Sequence, residues 1–152
     1  MTRTCQECGA ALADGAACID LFHTLLLLEH EVAADSVGSG DGRVAHFYAV
    51  SAYILQHPLG MGYTAAALAG ARRGLADHLA GKLSLEQLRH RVRLATNGPV
   101  RITRRADDEV VRWPVDAWPL TVADVIAGGV TGYTDRVTAW AESIVQTLAC
   151  QA

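Results

Sequence analysis

The feature that most constrains this chain is Cys5-Gln6-Glu7-Cys8-Gly9 near its N-terminus, followed ten residues after Cys8 by Cys18. Two cysteines separated by two residues turn back onto one ion when a small residue such as Gly9 completes the turn, which is the pattern of a zinc knuckle. Cys18 stands at the mouth of a predicted helix and offers a third sulfur. At 152 residues the chain is read as a single domain. A chain of this size buries roughly 70% of its unfolded surface, so it owns a core without help from a metal. Zinc is then expected as a local clamp, unlike the metal of a finger that is unfolded without it.

Helical periodicity dominates the rest. Residues 16–33 carry Cys18, Leu21, Phe22, Leu25, Leu28 and Glu29 at three- and four-residue spacing without proline or glycine. Residues 35–42, rich in glycine and serine, read as a loop. A second helix over 44–56 is closed by His57-Pro58, because the residue before proline is driven out of helical geometry. A third begins near Tyr63, with Gly70 and Gly74 marking close packing and Gly81 a C-cap. Ser84-Leu85-Glu86-Gln87 is a capping box that opens a helix to about Thr96. The β-prone runs 100–103 and 110–113 predict a short hairpin or an extended arm. Thr121 to Asp124 caps a brief helix, and Thr134 or Asp135 opens the last one through Leu148. The expected fold is mainly α: five or six helices, with a knuckle arm over 1–18, a helical hairpin over 16–57, helices over 63–96 and C-terminal helices over 121–149.

The spacing of chemically able residues then gains meaning. Cys18 and Glu29 are eleven residues apart, as are His46 and His57, and eleven residues is three helical turns within ~20°. If the two helices pack antiparallel, as neighbours joined by a short loop do, Cys18 meets His57 at one end and Glu29 meets His46 at the other. The ends lie about 16 Å apart at 1.5 Å per residue, too far to share an ion. Cys5, Cys8, Cys18 and His57 make a Cys3His set suited to zinc; Cys150, another histidine or water are the alternatives for the fourth position, and a water would leave the metal open for catalysis. The other end gathers Glu29, His46 and Tyr53, with His30 and Glu31 near the loop. That is either an acid–base cluster or a buried hydrogen-bonded network. His23, His78 and His90 are assigned to surfaces.

Composition narrows the partners. With 51% hydrophobic and 19% charged residues and a net charge of −3, the chain has no general attraction to nucleic acid. Its arginines concentrate locally, with Arg89, Arg91, Arg93, Arg101, Arg104 and Arg105 between Lys82 and Arg112. Asp107, Asp108 and Glu109 follow directly and no aromatic residues interleave, so the stretch reads as a solvated face. Trp113-Pro114 and Trp118-Pro119 read as covers over the core or a partner surface. No apolar run reaches the ~20 residues of a membrane span, and Met1 to Cys5 shows no signal peptide, which points to a reducing cytoplasm. No glycine-rich phosphate loop, HExxH helix or GxSxG elbow occurs.

Several of these residues form a larger pattern. Cys5-x-x-Cys8-Gly9, Cys18 leading into a leucine-rich helix with Glu29, His46 through Tyr53-Ile54-Leu55-Gln56-His57-Pro58, Thr121-Val122-Ala123-Asp124-Val125 and Val137-x-x-Trp140-Ala141-Glu142-Ser143 together resemble an uncharacterised bacterial family. The likeness is strongest over residues 5–58 and the last thirty. It implies that Cys5, Cys8, Cys18, Glu29, His46, Tyr53, Gln56 and His57 occupy motif positions, and it implies no activity. The reading is a zinc-binding helical protein that engages an unidentified protein partner or small molecule, with a homodimer left open. The competing reading is a metal-dependent enzyme using an open zinc or the Glu29/His46/Tyr53 cluster.

Overall fold

The computed structural model describes residues 2–35 and 41–151, with Asp41 described by its backbone alone. Two short strands, β1 (Arg3–Thr4) and β2 (Ala11–Leu12), pair antiparallel with Arg3 opposite Leu12 and Thr4 opposite Ala11. Six helices follow among the described residues: α1 (Cys18–Asp35), α2 (Asp41–Gln56), α3 (Ala65–Leu79), α4 (Leu85–Asn97), α5 (Val122–Ala127) and α6 (Tyr133–Ala149). The chain is mainly α, as its periodicity predicts.

α2 is the central element. It packs most extensively on α6 and also touches α1 and α3, while α5 lies against α1 and α6. Small residues make that position available: Ala45, Ala49 and Ala52 let neighbouring helices approach, and Leu55 fills the space between them. α6 answers with Val137, Trp140, Ala141, Ile144 and Leu148, all fully buried at helical spacing. Trp140 donates its indole N–H to Oε1 of buried Gln56 at 3.2 Å, and Gln56 donates to the Leu120 carbonyl at 2.7 Å. The end of α2 is thereby fixed from two sides, next to His57. In α6, Arg136 turns back to donate to the carbonyls of Val125, Gly129 and Thr131, satisfying the acceptors left at the end of α5.

Local signals set several boundaries as expected. Ser84 Oγ accepts from the Gln87 amide at 3.1 Å while Gln87 Oε1 accepts from the Ser84 amide at 2.9 Å, the reciprocal box that opens α4. Asp124 accepts from both the amide and the hydroxyl of Thr121 at the start of α5. Gly74 permits close packing, since a Cβ there would stand 2.9 Å from Leu88 Cδ1, whereas Gly70 faces open space. The cap of α6 is Gly132, two or three residues earlier than the expected Thr134 or Asp135, and Tyr133 is drawn into the core. Of the loop expected over 35–42, residues 36–40 lie outside the described residues; Asp35 belongs to α1, and Asp41 and Gly42 to α2.

Of the two forms expected over 100–113, the extended arm is the one adopted. Its runs do not pair with each other; Thr103 bridges Tyr63, and Arg104 donates to the Gly62 carbonyl at 2.7 Å. The turn between the runs is closed instead by Asp108, which takes both Arg101 guanidinium nitrogens at 2.7 and 2.8 Å and the Arg105 amide at 2.7 Å. Beyond it, Trp113 lies partly buried against the core and donates to the Leu55 carbonyl at 2.7 Å. The minor β element belongs to the N-terminal knuckle.

Candidate metal centre

The knuckle is built by its own backbone. Cys5 donates to the Ala10 carbonyl at 2.8 Å and Gly9 donates to the Cys5 carbonyl at 2.9 Å, so the chain reverses between the first two sulfurs. Gly9 makes the reversal with φ +83°, a left-handed conformation that glycine adopts without steric cost. Cys8 is thereby carried inward to 3% exposure, 3.7 Å from Cys18 Sγ. Cys18, the first residue of α1, lies 3.2 Å from His57 Nε2, just past the end of α2. The ligating atoms of Cys5, Cys8, Cys18 and His57 all lie within 4.8 Å of one another, and the four residues are placed to hold a metal ion.

The histidine is held in one orientation. His57 Nδ1 donates to the Tyr53 carbonyl at 2.8 Å, which fixes the proton on that nitrogen and leaves the Nε2 lone pair facing Cys18. Its ring stacks on Tyr53 at 4.0 Å, and Tyr53 stacks on Phe22 at 4.2 Å. Phe22 lies one turn after Cys18 and Tyr53 one turn before His57, so an aromatic stack closes the inner side of the sulfur cluster. A hydrogen bond from Cys18 and then burial push the Cys8 thiol up to about 12. Burial first, and then the Cys18 sulfur, raise the Tyr53 phenol above its ordinary range. The pocket disfavours uncompensated negative charge on sulfur, which a cation would relieve.

The antiparallel arithmetic also joins the far ends, with one substitution among the residues. His46 Nδ1 donates to Glu29 Oε2 at 2.5 Å, and the Tyr133 hydroxyl donates to Glu29 Oε1 at 2.9 Å. Tyr53 is not part of this cluster. It lies seven residues from His46 but four from His57, and the shorter spacing wins because it puts the ring on the His57 face, where Phe22 receives it. Tyr133, at the start of α6, takes the place that Tyr53 was assigned. Glu29 is shielded, with a side chain 14% exposed, while the His46 side chain is 56% exposed. Burial and the Glu29 carboxylate raise the Tyr133 phenol, so it acts as a neutral donor.

The remaining candidates are dispersed. His30 and Glu31 are exposed and make no hydrogen bond or ion pair with the Glu29 or His46 side chains, and His23 and His90 are exposed as expected. His78 departs from its surface assignment: it is half-buried, meets the Tyr48 hydroxyl at 2.9 Å and packs edge-on against Phe47. Cys150 is exposed at the end of α6 and stands outside the cysteine cluster. Glu7, inside the knuckle, escaped sequence reasoning. Its carboxylate accepts from the Leu59 and Gly60 amides at 2.8 and 3.1 Å, and its carbonyl accepts from Trp118 Nε1 at 3.0 Å. Nothing in the local pattern marks Glu7, because its partners lie 52, 53 and 111 residues away.

No helix among the described residues is long and apolar enough to cross a membrane. No curated protein and no solved structure matches the chain. A family of unknown function (DUF5946) matches residues 3–149, nearly the whole length, and the chain belongs to that family.

Proposed function

We propose that Cys5, Cys8, Cys18 and His57 hold one zinc ion in a closed structural site, and that the protein fastened by it binds a partner protein or a small molecule in a reducing cytoplasm. The observation that carries this reading is the convergence of three sulfurs and one oriented imidazole nitrogen within 4.8 Å. With zinc bonds of ~2.3 Å to sulfur and ~2.05 Å to nitrogen, a tetrahedron has edges of about 3.8 Å between sulfurs and about 3.6 Å from sulfur to nitrogen. The observed 3.7 and 3.2 Å lie close to those edges. Soft thiolates with one imidazole favour zinc over the hard cations.

When bound, the ion neutralises the clustered thiolates and ties three segments together: the N-terminal arm, the start of α1 and the end of α2. The chain supports the clamp independently. Glu7 pins the arm to the α2–α3 connection through the amides of Leu59 and Gly60, and Leu12 seats in the core at 4% exposure. Metal content of the untagged protein and X-ray absorption at the zinc edge test the proposal. One zinc with three sulfurs and one nitrogen supports it; no metal, or an oxygen in place of the nitrogen, refutes the closed site.

A second reading, an acid–base enzyme, draws on the Tyr133–Glu29–His46 chain. A shielded carboxylate that accepts a hydrogen bond from Nδ1–H of an exposed imidazole leaves Nε2 to accept a proton from a bound molecule. Replacing Glu29 by Gln separates the roles: an enzyme loses turnover with folding and metal content intact, whereas a structural network loses stability.

A further inference from the structure

The arginine-rich stretch has a structural partner that its sequence does not reveal. On α4, Leu85, Arg89 and Arg93 recur every four residues and so form one ridge. Leu88, on another side of the helix, anchors α4 to Gly74 of α3. Across from the ridge stands Arg43 in the first turn of α2, 42 to 50 residues away in sequence. Together with Glu86 these residues line a cavity of about 490 Å³, within the range of small-molecule sites.

The electrostatics of the cavity are unresolved within the protein. Arg43, Arg89 and Arg93 make no hydrogen bond or ion pair among the described residues, in contrast to Arg101, Arg72 and Arg136, each of which is satisfied by a carboxylate or by carbonyls. Among the described residues, three guanidinium groups face one carboxylate, Glu86, so this part of the lining carries excess positive charge. Leu85 gives the cavity an apolar side, which suits a ligand with a carbon skeleton as well as a charged head. Guanidinium groups match the planar, bidentate recognition of phosphate oxygens.

We propose that the cavity between α2 and α4 binds a small ligand bearing a phosphate group, through Arg43, Arg89 and Arg93. The proposal deepens the ligand-binding half of the proposed function and does not depend on the metal. A second arginine on the same helix, Arg91, lies two residues from both Arg89 and Arg93 and therefore on a different face, outside the lining. It provides a control of equal charge. All four positions are exposed, and alanine keeps α4 and α2 helical.

The test is a titration of the isotope-labelled, metal-loaded full chain with sodium pyrophosphate at constant ionic strength, followed by amide NMR shifts. Saturable shifts are expected at Arg43 and over residues 85–93, with the knuckle amides unmoved. Arg89→Ala and Arg93→Ala each weaken binding roughly tenfold or more, the size of a lost charge-assisted hydrogen bond, while Arg91→Ala leaves it within about twofold. Shifts that fail to saturate, or an equal loss in Arg91→Ala, would reduce the effect to general charge attraction and overturn the site. Tighter binding of a single-stranded oligonucleotide than of pyrophosphate, falling steeply with salt, would overturn it in favour of nucleic acid. Movement of the knuckle amides would assign the shifts to the metal centre and likewise overturn it.

Discussion

Replacing Tyr133 by Phe tests whether the Tyr133–Glu29 contact holds the Glu29–His46 end of α1 and α2 against α6. The ring is 1% exposed, so the substitution leaves its packing in place and removes one O–H···O bond of 2.9 Å. A hydrogen bond to an ionised group contributes about 1.5–3 kcal/mol. Glu29 keeps His46 at Oε2 and retains some solvent access, which puts the loss near the lower bound, about 1.5 kcal/mol. For a chain of this size that corresponds to a fall in Tm of roughly 3–6 °C. Urea unfolding and calorimetry of Tyr133→Phe, Glu29→Gln and the double variant read the coupling directly. If the bond carries the effect, the double variant costs less than the sum of the single ones by about 1 kcal/mol. Additive costs, or a Tyr133→Phe variant within ~0.5 kcal/mol of the parent, would refute the reasoning.

Four further outcomes are expected. Chelation of the metal should strip hydrogen-exchange protection from the knuckle amides first while those of α2 and α6 persist; simultaneous loss across the chain would contradict a local clamp. Because the Cys8 thiol is pushed up to about 12 without a cation, metal binding should release protons at neutral pH and weaken as pH falls; calorimetric heats independent of the buffer's ionisation enthalpy would contradict this. Gly9→Ala should cost about 1–2 kcal/mol of stability purely through its φ of +83°, since an added Cβ meets nothing within 4 Å; an unchanged urea midpoint would show the turn relaxes freely. The Arg101 guanidinium and the Arg105 amide lower the Asp108 carboxyl from 3.8 to about 2, so the turn they close is fully stabilised above 3.8 and loses that support as pH falls through about 2. The Arg105 amide shift should titrate near that lower value and move upward in Arg101→Ala; a midpoint near 3.8 in the parent would refute the pairing.

Much of the site was legible because helical spacing is a ruler. Cys18 with Glu29 and His46 with His57 are each three turns apart, and two antiparallel helices convert those separations into two meeting points. The same ruler, used less strictly, misplaced Tyr53: its four-residue relation to His57 is the closer one, and Phe22 at the same step from Cys18 marks where its ring goes. Tyr133 and Trp118 could not be read from periodicity, since their partners Glu29 and Glu7 lie more than a hundred residues away.

By itself the sequence determined the helices, because apolar period, capping boxes and proline stops act within a few residues. It also determined the donor chemistry of Cys5, Cys8, Cys18 and His57 and the left-handed turn that Gly9 permits. Tertiary structure alone decided the partners of those helices: that α6 packs against α2, that Glu7 clamps the connection after His57, and that Arg43 crosses to face Arg89 and Arg93. The physical reason is that local signals are settled by short-range sterics and hydrogen bonds. Which faces meet depends instead on how a whole set of apolar surfaces leaves water together.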